Sequence, residues 1–475
     1  MRLKRFTLKQ VKIDPKALLT CLIGMFMIWE LARVIHVPGA GPITWWIQIA
    51  ELITLGAVLG KIRYCENIWI ITLMLGLILI FLTSAIRPET VLEDTKPTLM
   101  RGVFIYLLCP SIGILLTEKN IRRFLTWFIL VWVAFYTAMS AIGIYSMYTG
   151  RAIMDFSGIY GIYNEDGHLN LIAYYTVTAA NLTVAILMAV IGIALTNKKT
   201  IRIVYTVGIL IMQYALALTT GRAGMLSTGI GAGIAVAAAA ETKLRGKMPI
   251  RWKRILVLGG VIVLCTVGIY QVFVIEQNVF NRQVSGQQTA LFIHAAKAEE
   301  ATNETAEEPT EEPAIQTLST RSLGTTGLSG RGHVYQRALD LIRKRPYLLL
   351  TGTSVPLVTE YINKDDQPVF EHVHCMPLQI LLETGIGGLI LLVLFLIPFI
   401  RSAWRLFFAI REPAWKRLIF IPTLCMFFIE LVECILRLDK GFQVAVPVFL
   451  FYGLTISLAK TIPAPEKKGK KEITV

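Results

Sequence analysis

Long apolar runs, separated by short charged clusters, set the pattern of this chain. A run of roughly 20 apolar residues crosses a hydrocarbon core about 30 Å thick when it coils into a helix. Such runs predict about twelve membrane helices, at 17–35, 43–60, 68–86, 102–117, 125–148, 168–196, 203–220, 223–240, 255–275, 376–400, 418–436 and 442–459. The expected fold class is therefore an all-α integral membrane protein. One interval breaks the rhythm. The segment 276–373 is by far the longest without a spanning pattern, and long loops of this kind carry function or disorder.

That segment has two unlike parts. AEEATNETAEEPTEEP (298–313) holds seven glutamates, two prolines and no aromatic residue. It buries too little apolar surface to order itself, which predicts a disordered acidic spacer. GRGHVYQRALDLIRKRPYLLLTG (330–352) instead puts Tyr335, Ala338, Leu339 and Ile342 on one helical face. Arg337, Asp340 and Lys344 fall elsewhere around it, Pro346 ends the helix and Gly352 marks a turn. The expectation is an amphipathic helix on the membrane surface, over the mouth of the bundle. The chain then divides into an N-terminal bundle (1–275), the loop (276–373), a C-terminal set of spans (374–460) and a basic tail (461–475).

Composition supports this division. Of 475 residues 55% are hydrophobic and 17% charged, with a mean hydropathy of +0.60. The net charge of +15 suggests nucleic acid, but the basic residues flank the spans and form no single patch. No nucleic-acid partner is expected; membrane lipids are. RLKR at the start, EKNIRR (118–123), NKKTIR (197–202), ETKLRGKMPIRWKR (241–254) and EKKGKK near the end fall on one side of the predicted topology. The positive-inside bias makes that side cytoplasmic, with both termini inside a plasma membrane and 276–373 outside. The basic N-terminus lacks a small-residue cleavage site and reads as an uncleaved span. Seven cysteines show neither a metal spacing nor a disulfide framework.

Candidate chemistry gathers at the outer face. In HVHCMPLQILLETGIGG (372–388), Pro377 suits the first turn of a helix, so His374 stands just before a helix N-terminus. First-turn N–H groups and the helix dipole favour an anion there. A helix extended back to His374 would set Gly385 and Gly388 near its face, open to close approach by another helix or a lipid, and turn Glu383 away. The plain alternative is an interfacial histidine packed against its neighbours, and His372 reads as structural. Arg222, in the short outer turn TTGRAGM (219–225), runs against the positive-inside bias; the alternative is a snorkelling side chain. Arg331 precedes the surface helix between Gly330 and Gly332, and Arg151 is a weaker candidate in another outer loop. Guanidinium forks bind phosphate bidentately, and a neutral imidazole suits a base near pH 7. Together these groups fit transfer of a glycan from a lipid diphosphate to an acceptor hydroxyl. No cofactor is called for, and no paired carboxylates in the outer loops would hold a metal.

These residues resemble a known family. His374, Cys375, nine residues and then Gly385-Ile386-Gly387-Gly388 is similar to the signature of the O-antigen ligases and polymerases. The TTGRAG turn resembles that family's arginine motif, and 330–352 the stretch that opens its catalytic outer loop. The resemblance implies a metal-independent, inverting transferase using an undecaprenyl-diphosphate-linked glycan and a glycan, lipid or protein hydroxyl acceptor. It implies His374 as base and Arg222 and Arg331 as diphosphate-binding residues. Cys375 departs from the family, whose ligases carry Asn, Ser or Gln there. A transporter or flippase of lipid-linked glycans is the alternative; Glu30, Glu51, Glu430 and Glu433, in or near spans, keep it in view. A structural scaffold for an envelope complex is a third class.

Overall fold

A computed structural model describes residues 67–85, 104–149, 154–156, 160–165, 168–171, 174–248, 251–302, 331–353, 372–436 and 442–463, with a few isolated positions besides. The predicted span 17–35 lies outside these residues, as does nearly all of 43–60. The molecule is mostly helical. Helix α1 is Ile68–Ala85; a π-turn at Phe104–Leu108 leads into α2, Cys109–Leu115; α3 is Glu118–Thr149. Three short strands follow: β1 Met154–Phe156, β2 Tyr160–Glu165 and β3 His168–Leu171. They form an antiparallel sheet in the order β1-β2-β3, with Asp155 opposite Gly161 and Tyr163 opposite Asn170. Then come α4 (Tyr175–Leu195), α5 (Lys199–Leu218), α6 (Arg222–Lys247) and α7 (Arg251–Thr302). After the undescribed stretch lie α8 (Arg331–Lys344), α9 (Leu348–Thr351), α10 (Met376–Phe407), α11 (Ala414–Leu418), α12 (Ile421–Glu430) and α13 (Phe442–Thr461).

Seven of these helices are long and apolar enough to cross a membrane: α3, α4, α5, α6, α7, α10 and α13. Their packing is uneven. The apolar windows of α4 and α13 are 78% and 83% buried, whereas that of α7 is 6% buried. α4 and α13 form the centre, and α7 presents an apolar surface suited to lipid. Small residues set the close crossings. A Cβ on Gly113 of α2 would stand 2.8 Å from the Gly453 carbonyl oxygen of α13. Without large side chains the helices gain dispersion contact between backbones, the main attraction available where lipid replaces water.

Several boundaries differ from the sequence reading. The span expected at 168–196 opens as β3, and its helix starts at Tyr175. α7 runs on to Thr302, well into the segment read as loop, because 276–302 is rich in Ala, Gln and Glu and holds no proline. The first residues of the acidic insert end α7; 303–313 lie outside the described residues. The span expected at 418–436 holds one short helix, α12, which ends at Glu430 and is followed by irregular chain. The amphipathic segment is helical, broken after α8 at Pro346, but Leu339 is exposed and Val334 joins Ala338 in the buried face.

The ends of the bundle can be told apart by contacts. Lys416 of α11 bonds Glu118, the first residue of α3, and Glu412. Arg417 donates to the Phe407 carbonyl at the end of α10 and the Ala238 carbonyl late in α6. Arg254 of α7 pairs with Glu241 of α6. The starts of α3 and α7 and the ends of α6 and α10 therefore share one end, the lysine end. The starts of α6 and α10 face the other, the histidine end.

Candidate functional site

His374 is in the left-handed region, at φ 55°, just before α10. For a residue with a Cβ that conformation costs roughly 1–2 kcal/mol, so neighbours must hold it. They do so from three sides. The His374 N–H donates to His372 Nδ1 at 3.1 Å, and the two rings pack 4.1 Å apart. Tyr335 of α8 donates its hydroxyl to the His374 carbonyl at 3.0 Å. His374 Nδ1 lies 3.1 Å from Glu433 Oε2, a buried carboxylate. A carboxylate only accepts, so in the neutral ring this contact sets the proton on Nδ1 and the lone pair on Nε2.

Glu433 is itself held in place. It lies in the irregular segment after α12, where Glu430 accepts the backbone N–H groups of Ile435 (3.1 Å) and Leu436 (3.0 Å). Tyr106, from the π-turn before α2, donates to the Leu436 carbonyl at 2.9 Å. Glu430 thus ends α12 and folds the chain so that Glu433 meets His374. The sequence reading missed Glu433 as a site residue. The available signal was an ionisable group inside an apolar run, a functional candidate by default, but 59 residues separate the partners.

The helical projection from His374 does not hold. His374 is left-handed, Cys375 is extended, and α10 starts at Met376. α10 then breaks at Gly385, where φ is 68° and ψ −168°. A Cβ at Gly385 would stand 2.7 Å from the Leu350 carbonyl oxygen, so the break admits the backbone of α9. Thr353 donates its N–H to the Leu382 carbonyl at 2.6 Å, satisfying a group the break exposes. Gly388 is crowded by Thr384 of its own helix, and Glu383 is not turned away: Gln379 Nε2 donates to it at 2.7 Å, and both line a cavity with Gly388.

Arg222 is the exposed first residue of α6, at the histidine end. Its flanking glycines are required by packing: a Cβ on Gly224 would lie 3.0 Å from the Ala179 carbonyl oxygen of α4. Thr183 of α4 donates to the Gly224 carbonyl at 3.0 Å, tying the two helices at this turn. Thr220, just before, is also left-handed at φ 53°, and its hydroxyl bonds His168 Nδ1 of β3. The His168 ring stacks on Tyr175, 4.3 Å away. The small sheet therefore clasps the turn that presents Arg222. Arg331 begins α8, one helical turn before the tyrosine that bonds His374. Arg151 lies outside the described residues. Cys375 is the N-cap of α10 and makes no side-chain capping bond. Among the described residues, no group of three His, Cys, Asp or Glu is placed to hold a metal ion.

Residues 207–393 match the family model described as O-antigen ligase. The matched stretch takes in the TTGRAG turn, α8 and the histidine helix through both glycines; Glu433 lies beyond it. No curated protein matches the chain.

Proposed function

We infer that this chain, which shares residues 207–393 with the O-antigen ligase family, is a membrane glycosyltransferase of cell-surface polysaccharide synthesis. Its donor is a glycan on undecaprenyl diphosphate and its acceptor a hydroxyl of a glycan, lipid or protein, at the outer face of the plasma membrane. The observation that carries the reading is the pairing of His374 with buried Glu433, which readies Nε2 as a base. The acceptor oxygen attacks the anomeric carbon as the bond from that carbon to the diphosphate oxygen breaks. The acceptor's proton passes to Nε2, and the diphosphate leaves on its lipid. Attack opposite the leaving group inverts the anomeric centre. Arg222 and Arg331 hold the departing diphosphate, whose charge grows as the bond breaks. The starts of α6 and α10, at the same end, add backbone donors of the right sign. Glu430 and Glu433, two of the four glutamates that kept a transporter in view, bond the Ile435 N–H and the His374 ring.

The test is incubation of purified protein with an undecaprenyl-diphosphate oligosaccharide and candidate acceptors, with product analysis by mass spectrometry. Transfer is expected, with inverted configuration and without added metal. His374→Ala should slow it roughly 100- to 10,000-fold, the usual worth of a general base. Normal donor consumption by well-folded His374→Ala protein would overturn the reading.

A further inference from the structure

Gln379 brackets the histidine from both sides. It lies in the first turn of α10 and is buried. Its backbone N–H donates to the Cys375 carbonyl at 2.8 Å, and its side-chain Oε1 accepts the Val373 N–H at 3.0 Å. The residue before His374 and the residue after it are therefore bonded to one and the same buried residue. His374 between them has the left-handed conformation, which persists only where its surroundings impose it.

A carboxamide can hold an N–H only while its oxygen faces it. Turned over, Gln379 would set its NH₂ group against the Val373 N–H, donor against donor. Glu383, four residues on and also buried, fixes the orientation: it accepts from Gln379 Nε2 at 2.7 Å, and an ionised carboxylate only accepts. Glu383 is set in turn by the segment after α9. Thr353 gives both its N–H and its hydroxyl to the carbonyl of Leu382, the preceding residue, at 2.6 and 3.1 Å. A line of bonds thus runs from Thr353 along α10 to the peptide group before the histidine.

We propose that Gln379, oriented by Glu383, is a positioning residue for His374: it fixes the backbone turn that aims the ring, and it does so without touching either substrate. This rests on the reading of His374 as the base. The contact with Glu433 sets the tautomer of the ring and the Tyr335 hydroxyl holds the carbonyl of the same residue. Neither fixes the peptide group that enters the turn; Gln379 does. Displacement of a reacting group by about 1 Å costs on the order of 100-fold in rate. Gln379 and Glu383 also reach a cavity beside α10, so a direct role in binding a ligand there is the competing reading.

The experiment uses the full-length protein in lipid nanodiscs with an undecaprenyl-diphosphate oligosaccharide as donor. Gln379→Met keeps the length of the side chain and removes both of its bonds. It should lower kcat per folded molecule by about 100-fold and change donor KM by less than about threefold. Gln379→Asn withdraws the amide by one carbon and should lower kcat by about tenfold. The exchanged pair, Gln379→Glu with Glu383→Gln, keeps both bonds: the new carboxylate accepts the Val373 N–H and the new amide at 383. It should recover kcat to within about threefold of the parent. If Gln379→Met does not fold, the asparagine variant and the exchanged pair decide the matter. A second readout needs no turnover: amide hydrogen exchange at 372–376 should quicken in Gln379→Met and return toward the parent rate in the exchanged pair. Unchanged kcat in Gln379→Met or Gln379→Asn, or an exchanged pair as impaired as Gln379→Met, overturns the proposal. A raised donor KM with kcat retained overturns it too and assigns the pair to ligand binding. Absence of transfer by the parent protein defeats the proposed function instead, and the exchange rates then decide alone whether Gln379 holds the histidine turn.

Discussion

At one end of the bundle Lys416 holds Glu118 and Glu412 at 2.7 Å, Arg417 donates to the carbonyls of Phe407 and Ala238, and Arg254 meets Glu241. At the other, the described non-glycine residues with positive φ, Thr220 and His374, stand just before the N-caps of α6 and α10. The lysine end uses its charges to bind helices together. The histidine end keeps strained backbone in place with specific bonds. Strain of this kind persists only where surrounding structure over-determines it, and it concentrates at working sites. The comparison separates charges that tie helices to one another from polar groups that hold strained backbone.

The sharpest way to break the comparison is Glu433→Gln. The amide is nearly isosteric, so the fold should stand, but it can donate to Nδ1 and so move the ring proton to Nε2. Transfer should fall about 100-fold in kcat, with donor KM little changed and a distorted pH profile, by the logic of a misassigned tautomer. Equal loss in Glu433→Gln and in a variant that merely loosens the segment after α12 would reduce Glu433 to packing.

The lysine end should answer in the opposite currency. Arg417→Ala removes donors from the part-buried Phe407 carbonyl and from the buried Ala238 carbonyl, which keeps its bond within α6, and the loss should cost about 1–3 kcal/mol. Its melting temperature should fall, while kcat per folded molecule stays within about twofold of the parent. Lys416 backs this end across neutral pH. Burial pushes its ammonium pKa down, but Glu118 and Glu412 outweigh that and hold it above the usual lysine value. The folded pKa is raised, so the contribution is complete below the ordinary lysine range and fades only as pH climbs through and past it. A thermal scan at pH 7 and at pH 11 checks the sign: Lys416→Met should narrow the difference between the two.

These contrasts also mark how far the sequence could be read. The turn around Arg222 was legible because two apolar runs meet there with only Thr-Thr-Gly-Arg between them, and α5 and α6 end and start within a few residues of the expected places. α8 was legible from its spacing, and the start of α10 from Pro377. Three things were not. The small sheet carries an Asp-Gly turn signal at 166–167, but the apolar run beginning at 168 masked it. The early end of α12 depends on Glu430 reaching N–H groups five and six residues on, a competition that periodicity does not register. The His374–Glu433 pair and the break at Gly385 depend on partners from other segments, Glu433 in one case and α9 in the other. Local pattern gave the helices; the site is made where they meet.

Cys375 offers the finest test of the start of α10. It occupies the N-cap of α10 with extended backbone, φ −158° and ψ 107°, and its thiol caps nothing. Residue 377 is proline and has no N–H, so a side-chain cap here must reach the N–H of Leu378, the third residue of the helix. An asparagine oxygen can do this where a thiol is a poor acceptor. Cys375→Asn should therefore stabilise the start of α10 by about 1 kcal/mol, read as a rise of a degree or two in melting temperature. The same change brings this position to a residue type found in the family it resembles, so transfer should hold within about twofold. Stabilisation accompanied by a tenfold rise in donor KM would have a different meaning: the Leu378 N–H would then be a donor to the diphosphate, and the helix start part of the binding site itself.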